Sequence, residues 1–452
     1  MKLRLTILLS ALCLFAACSG SGGGNKAPNQ PPVSTECSVA DQKQTTLEIA
    51  RDWYLWNDRL PVSVDLDGFA TVDELLLHLM SFSPAGPDSA PVDRFSSIGP
   101  AAADQQFFGE GRFEGFGFGF RFEAADDMRI TRVYADSPAA AGGLARGQQI
   151  LALNGRSVAD IVAAEGTAGL FAILGTSPVT FSLRPVTGDD FDTTVARDIV
   201  TIDPIPQWRL IPRDGLAPIG YLEFAQFIST ADPELDTVFA DFRANDVTDI
   251  IVDLRYNGGG LVTTAEFLGD LLGGAMFAGD IFTETRFNAD RADFNEIRRF
   301  VNILNRSVSV SRLVIIATDS TASASEMVAN GMAPHVEVAI VGSPTFGKPI
   351  GQAGFEFCEN VLRITAFQLF NADGFGDYFG GLPVTPGCEA PDDLSVAVGA
   401  DDDPNMVEAL GYLDTGACPA AAAAGLAAKP SAPAPARTLL RGSPARVYAN
   451  SL

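Results

Sequence analysis

RLVIIATDSTASASEMVANGM, residues 312–332, sets a branched apolar run against a turn of small hydroxyl residues and then a pattern with helical spacing. The run Arg312–Ala317 reads as a strand because β-branched side chains fit a pleated, buried surface. Ser323-x-x-Glu326 then matches a capping box, and a serine that only caps contributes about 1 kcal/mol to its helix. A serine at such a turn has a second use. Its hydroxyl stands at a helix N-terminus, where peptide dipoles favour developing negative charge. To act as a nucleophile it needs a base for its proton and donors for an oxyanion.

Outward from this stretch, apolar strands alternate with helical segments from 201 to 418: IGYLEFAQF, ELDTVFADFRA, TDIIVDLRYNGGG, TTAEFLGDLL and VEVAIVG. The alternation predicts an α/β layer fold. DIIVDLR runs into Gly258, Gly259 and Gly260, where backbone can approach a ligand closely, although a plain turn uses glycine equally well. A histidine base is hard to find: His78 lies far upstream, and His335 lies twelve residues past Ser323 at the far end of the same helical pattern. Lys348, in VGSPTFGKPIGQAGF, has Glu337 and Glu356 as its nearest charged neighbours in sequence. To serve as base it must sit in an apolar, charge-poor pocket that lowers its pKa by about three units, at roughly 4 kcal/mol. Most loop lysines are simply exposed.

Three motifs in this order, DIIVDLRYNGGGL, TASASEMVANGM and TFGKPIGQ, resemble those of the C-terminal processing peptidases, or tail-specific proteases. The resemblance runs from about Thr45 to Leu413 and implies a Clp protease–crotonase-like α/β catalytic domain. It implies Ser323 as nucleophile, Lys348 as general base, Gln352 as the residue orienting the lysine, and Gly259 with Ala324 as oxyanion donors. Pro349 stands where the family commonly has glycine. GFGFGF (Gly115–Phe120) followed by SPAAAGGLARGQQILALNGRSV resembles a PDZ domain, in which the backbone of Gly115, Phe116, Gly117 and Phe118 would grip a peptide C-terminus. Strand alternation alone would also line up Phe116, Phe118 and Phe120 on one face. In this family such a domain recruits protein C-termini and can gate the active site. The implied partners are protein or peptide substrates with free C-termini and an adaptor protein, with no cofactor.

The 56 acidic residues against 31 basic ones give a net charge of −25, which repels a nucleic-acid backbone. MKLRLTILLSALCLFAAC carries Lys2 and Arg4 before an apolar run of about 13 residues, shorter than the roughly 20 of a spanning helix, and reads as an export signal. Its end, LFAAC, resembles a bacterial lipobox and implies lipidation of Cys18 on a membrane-anchored protein of the periplasm or cell surface. Export leaves Cys37, Cys358, Cys388 and Cys418 as an even set for two disulfides; the expected pairs are Cys358 with Cys388 and Cys37 with Cys418. The absence of a CxxC pair and the two lone histidines give a zinc site no support. The expected organisation is a signal peptide (1–18), a Gly/Ser/Pro tether (19–36), a small helical region (37–110), a PDZ domain (111–200), a peptidase domain (201–418) and an Ala/Pro-rich tail (419–452). A non-catalytic, PDZ-bearing peptide-binding lipoprotein on the same fold is the alternative. Acyl-CoA chemistry on that fold would leave the PDZ segment and the export signal unexplained.

Overall fold

The computed structural model describes residues 37–124 and 126–419; the expected export signal, Cys18, the expected tether and the tail from 420 lie outside them. A five-stranded sheet carries the strand of the opening stretch, in the order Gln207–Arg213, Leu216–Glu223, Asp249–Asp253, Arg312–Ala317, Glu337–Gly342. All neighbours beyond the first pair run parallel. Every residue of Asp249–Asp253 is buried, as expected of a parallel strand covered on both faces. Asp253 pairs with Ile316, so the loops that follow these two strands leave the same carboxyl edge side by side. Those loops carry the glycine triplet and Ser323.

A second, largely antiparallel sheet is built on the long strand Asn360–Phe370, which pairs with Ser97–Pro100, Ile281–Phe287 and Ile350–Phe357. Lys348 lies two residues before the start of Ile350–Phe357, and Gln352 lies on that strand. Helices Val39–Trp53 and Val72–Met80 pack Leu47, Trp53, Leu75 and Leu79 against Phe355, Leu362 and Ile364 of this hairpin. The first helix starts at Val39, because Ser38 and Asp41 form a capping box there. The second starts as its Thr71-x-x-Glu74 pattern predicts: Thr71 accepts from the Glu74 amide at 3.1 Å and Glu74 from the Ala70 amide at 2.6 Å.

Residues 118–195 form a six-stranded antiparallel sheet with one long helix, Val158–Leu174, kinked at Gly166. Phe116 and Phe118 both pack on Phe181, with ring centroids 5.3 and 5.7 Å away, so the GFGF rings are core as well as edge. Among the described residues Phe118–Ala124 pairs on one side only, with Asp127–Val133. A short ribbon, Arg112–Gly115 with Asp198–Thr201, brings the two ends of this region together.

The disulfides correct the expected pairing: Cys37 bonds to Cys358, and Cys388 to Cys418, with Cα separations of 5.6 and 5.1 Å. The reason is tertiary. The N-terminal helices pack on the very hairpin whose turn holds Cys358, which places Cys37 beside it. No helix among the described residues is long and apolar enough to cross a membrane.

Candidate active site

Ser323 sits at φ 58°, ψ −114°, not in the extended conformation of an ordinary N-cap. A non-glycine residue in this region costs on the order of 1–3 kcal/mol, and its surroundings must enforce it. They do so from both sides. On the upstream side, Asn257 O accepts from the Ala322 amide at 3.1 Å and the Ser325 hydroxyl at 2.9 Å, while Thr321 Oγ1 donates to Leu254 O at 2.8 Å. On the downstream side, the Ser323 amide donates to Glu326 Oε2 at 2.9 Å. The result is a sharp strand-to-helix elbow with a partly exposed serine at its apex and helix Ala324–Met332 behind it.

Glu326, fully buried, does far more than cap a helix. Its Oε2 also accepts the Lys348 amide at 2.8 Å, and its Oε1 accepts the Gly347 amide at 2.7 Å and the Thr345 hydroxyl at 2.5 Å. Laid end to end, the two bonds to Oε2 span 5.7 Å, so the Ser323 and Lys348 amide nitrogens lie no further apart than that. Burial raises the pKa of this carboxyl, against the pull of its four donors.

The Lys348 amine donates to Gln352 Oε1 at 3.1 Å and stands 4.5 Å from the centre of the Phe95 ring. Gln352 has no freedom to flip: its Nε2 donates to Phe95 O at 2.7 Å and to Arg363 O at 3.3 Å, which leaves Oε1 for the lysine. Burial holds the Lys348 pKa down to about 8 from 10.5; Asp93 and Glu326 pull it up and Arg363 pushes it down. The expectation of a charge-poor pocket is therefore corrected. The charges come from segments remote in sequence, and desolvation outweighs them.

Gly259 adopts φ 98°, and an added Cβ would lie 2.8 Å from the Ala324 nitrogen and 2.9 Å from Ser323 Cβ, so the glycine loop presses directly on the serine turn. Its own N–H is donated to Asn257 Oδ1 at 2.9 Å. Asn257, fully buried, also donates through Nδ2 to Phe224 O at 2.8 Å, and Gln226 Nε2 holds Gly259 O at 2.6 Å. Arg146 of the 118–195 sheet region donates to the Tyr256 hydroxyl at 2.7 Å and to Asp392 at 2.8 Å, which ties that region to the residue before Asn257. His335 is held by Ile281 O at 2.8 Å between Phe277 and Phe300, away from the serine's end of the helix. Among the described residues no cluster of His, Cys, Asp or Glu converges as a metal site.

Sequence reading missed Asp93, Phe95, Asn257 and Thr345, and took Glu326 for a cap. Asn257 lay within a quoted motif, and Asp93-Arg-Phe-Ser96 is a recognisable Asx-turn pattern. Nothing local announces that this turn meets Lys348.

Three family profiles match the chain: peptidase family S41 over residues 218–386, the peptidase S41 N-terminal domain over 41–97, and the PDZ domain over 129–165. The chain is 30% identical over 223 residues to carboxyl-terminal-processing peptidase 3, chloroplastic, of Arabidopsis thaliana, covering 47% of this chain and 41% of that one. It is 26% identical over 291 residues to the carboxy-terminal-processing protease of Bartonella bacilliformis, covering 63% of each. These alignments span about half of the relatives' lengths. The crystal structure of an S41 protease from Bacteroides fragilis superposes with a TM-score of 0.63 at 23% identity over 82% of this chain and 96% of that one, which supports the mixed α/β fold. The chain is similar to the C-terminal-processing peptidases, its residues 218–386 matching peptidase family S41 and its residues 129–165 the PDZ domain.

Proposed function

We propose that the protein is an exported endopeptidase that cleaves protein chains through a Ser-Lys acyl-enzyme mechanism, with Gln352 orienting the base. The observation that carries this reading is the single Glu326 oxygen accepting both the Ser323 and the Lys348 amides. The neutral Lys348 amine takes the Ser323 hydroxyl proton as Oγ bonds to the scissile carbonyl carbon. The ammonium then protonates the leaving amine as the C–N bond breaks, leaving an ester on Ser323. Water attacks that ester, giving its proton to the amine, and Ser323 Oγ recovers a proton as the acid departs. Gln352 Oε1 takes one lysine N–H and so turns the lone pair away from itself. Ala324 N–H, at the open end of its helix, is one oxyanion donor; Gly259 N–H becomes the second when it leaves Asn257 Oδ1.

In this reading residues 37–110, 111–200 and 201–418 are the helical, PDZ and peptidase domains, the last of the Clp protease–crotonase type. Substrate C-termini add as a strand along the open edge of Phe118–Ala124, with their carboxylate on the amides of 115–118. Docking there reaches the glycine loop through Arg146 and Tyr256. Lipidation at Cys18 holds the enzyme at a membrane surface of the periplasm or cell exterior, where an adaptor can present substrates.

Mass spectrometry of an unfolded protein substrate tests the chemistry. Ser323→Ala and Lys348→Ala each abolish cleavage, and wild-type rates in either refute the dyad. Deletion of 111–200 that leaves the rate on a folded substrate unchanged rejects the coupling.

A further inference from the structure

Asp93 comes from the N-terminal region, is 2% exposed, and its carboxylate accepts from one turn and one strand. Its Oδ1 accepts the Phe95 amide at 2.9 Å, the Ser96 amide at 3.0 Å and the Thr365 hydroxyl at 3.0 Å; its Oδ2 accepts the Ser96 hydroxyl at 2.6 Å. Ser96 Oγ in turn accepts the Thr365 amide at 2.9 Å, which pins the turn to the long strand beside Gln352. The turn so folded aims Phe95 in two ways. Its carbonyl takes Gln352 Nε2 at 2.7 Å, and its ring covers the Lys348 amine at 4.5 Å.

We propose that Asp93 is a positioning residue for the lysine base: by folding the Phe95–Ser96 turn it fixes which end of the Gln352 amide meets Lys348 and closes the wall that dries the amine. This rests on the Ser-Lys reading above. If Asp93 were lost, the Phe95 carbonyl would drift and Gln352 could flip, offering its NH₂ group to an amine that needs an acceptor. The ring would also cease to exclude water.

Asp93 acts on the base by charge as well. Lys348 faces the carboxylates of Asp93 and Glu326, which favour its protonated form, and the Arg363 guanidinium, which opposes it and is itself paired with Asp104. Asp93 faces Tyr54, whose phenol is pushed above its ordinary value by burial and by this carboxylate. Arg94, next in the chain, points its charge to Asp88 at 2.9 Å. Neutralising Asp93 therefore lowers the pH at which the lysine becomes a free base.

The test measures covalent labelling of the full chain by a serine-reactive fluorophosphonate, with rate constant and saturation constant followed from pH 6 to pH 10. Asp93→Asn keeps the shape and removes the charge; its rate midpoint moves down by roughly half a unit or more. Asp93→Ala loses the turn; its maximal rate falls at least tenfold (about 1.4 kcal/mol) at every pH, while the saturation constant changes less than twofold. Phe95→Leu, which keeps the backbone carbonyl, gives a smaller loss. Folded Asp93→Ala with the wild-type maximal rate overturns the inference; if Asp93→Ala fails to fold, Asp93→Asn at the wild-type midpoint together with Phe95→Leu at the wild-type rate overturns it. Failure of the underlying reading looks different: the wild type then resists labelling, or Ser323→Ala still labels.

Discussion

Replacing Glu326 by glutamine changes one atom of a buried side chain that holds four donors. An amide has one acceptor oxygen, so two placements are open. With NH₂ toward Ser323 and Lys348, two backbone N–H groups face donors. With NH₂ toward the other side, the Gly347 amide is stranded and the Thr345 hydroxyl, which already accepts the Leu382 amide at 2.7 Å, must find its hydrogen another partner. The second placement costs less. Each stranded buried donor costs about 1–3 kcal/mol, so Glu326→Gln should lower stability by roughly 2–4 kcal/mol. Catalysis should suffer separately, because residues 345–348 carry the proposed base and lose half of their anchor; a misplacement near 1 Å costs on the order of 100-fold. Urea unfolding measures the first effect, and single-turnover acylation at fixed substrate occupancy measures the second. A variant that is destabilised as stated but acylates at the wild-type rate would refute the claim that this carboxylate positions the pair.

The rate of acylation should rise with pH around the Lys348 value of about 8, with roughly one molecule in ten carrying a free base at pH 7; a rate flat from pH 7 to 9.5 would exclude this amine. The same group sets a stability trend. Its folded pKa lies below its unfolded one, so the cost of burying the ammonium is fully present below pH 8 and is relieved between pH 8 and 10.5, by up to about 3 kcal/mol, which unfolding curves across that window will register. Ser323→Gly should be more stable than Ser323→Ala by about 1–2 kcal/mol, since glycine tolerates φ 58° and alanine does not, while both are inactive; equal stabilities would mean the elbow is unstrained. Removing Cys37 and Cys358 together should cost about 2–5 kcal/mol, measured by chemical unfolding, because this bridge spans 321 residues of chain.

Local pattern carried much of the architecture. RLVIIA is the strand Arg312–Ala317 and DIIVD the strand Asp249–Asp253, each named by its branched apolar run, and the helix after the serine starts at Ala324 as the cap pattern requires. The long hairpin Ile350–Phe370 was harder to read, since its strands are interrupted by glycines and charges and owe their pairing to one another. The candidate site was legible only where chemistry and neighbourhood coincide in one motif. Ser323 and Lys348 could be singled out, whereas Asp93 and Phe95 lie more than 200 residues before the amine they surround. Glu326 was visible but misjudged: the spacing that makes a capping box says nothing of the Thr345–Lys348 loop that arrives from another strand. The cysteines failed for the same reason, because pairing depends on which surfaces meet.

Among the described residues strand Ser97–Pro100 pairs with Asn360–Phe370 alone, so the segment that walls the amine is made early in synthesis and completed late. A chain made from its N-terminus thus holds its serine, its glycines and its lysine before it holds the strand that completes the wall around the last of them. Until the strand beyond residue 360 docks, water reaches the amine and keeps it an ammonium.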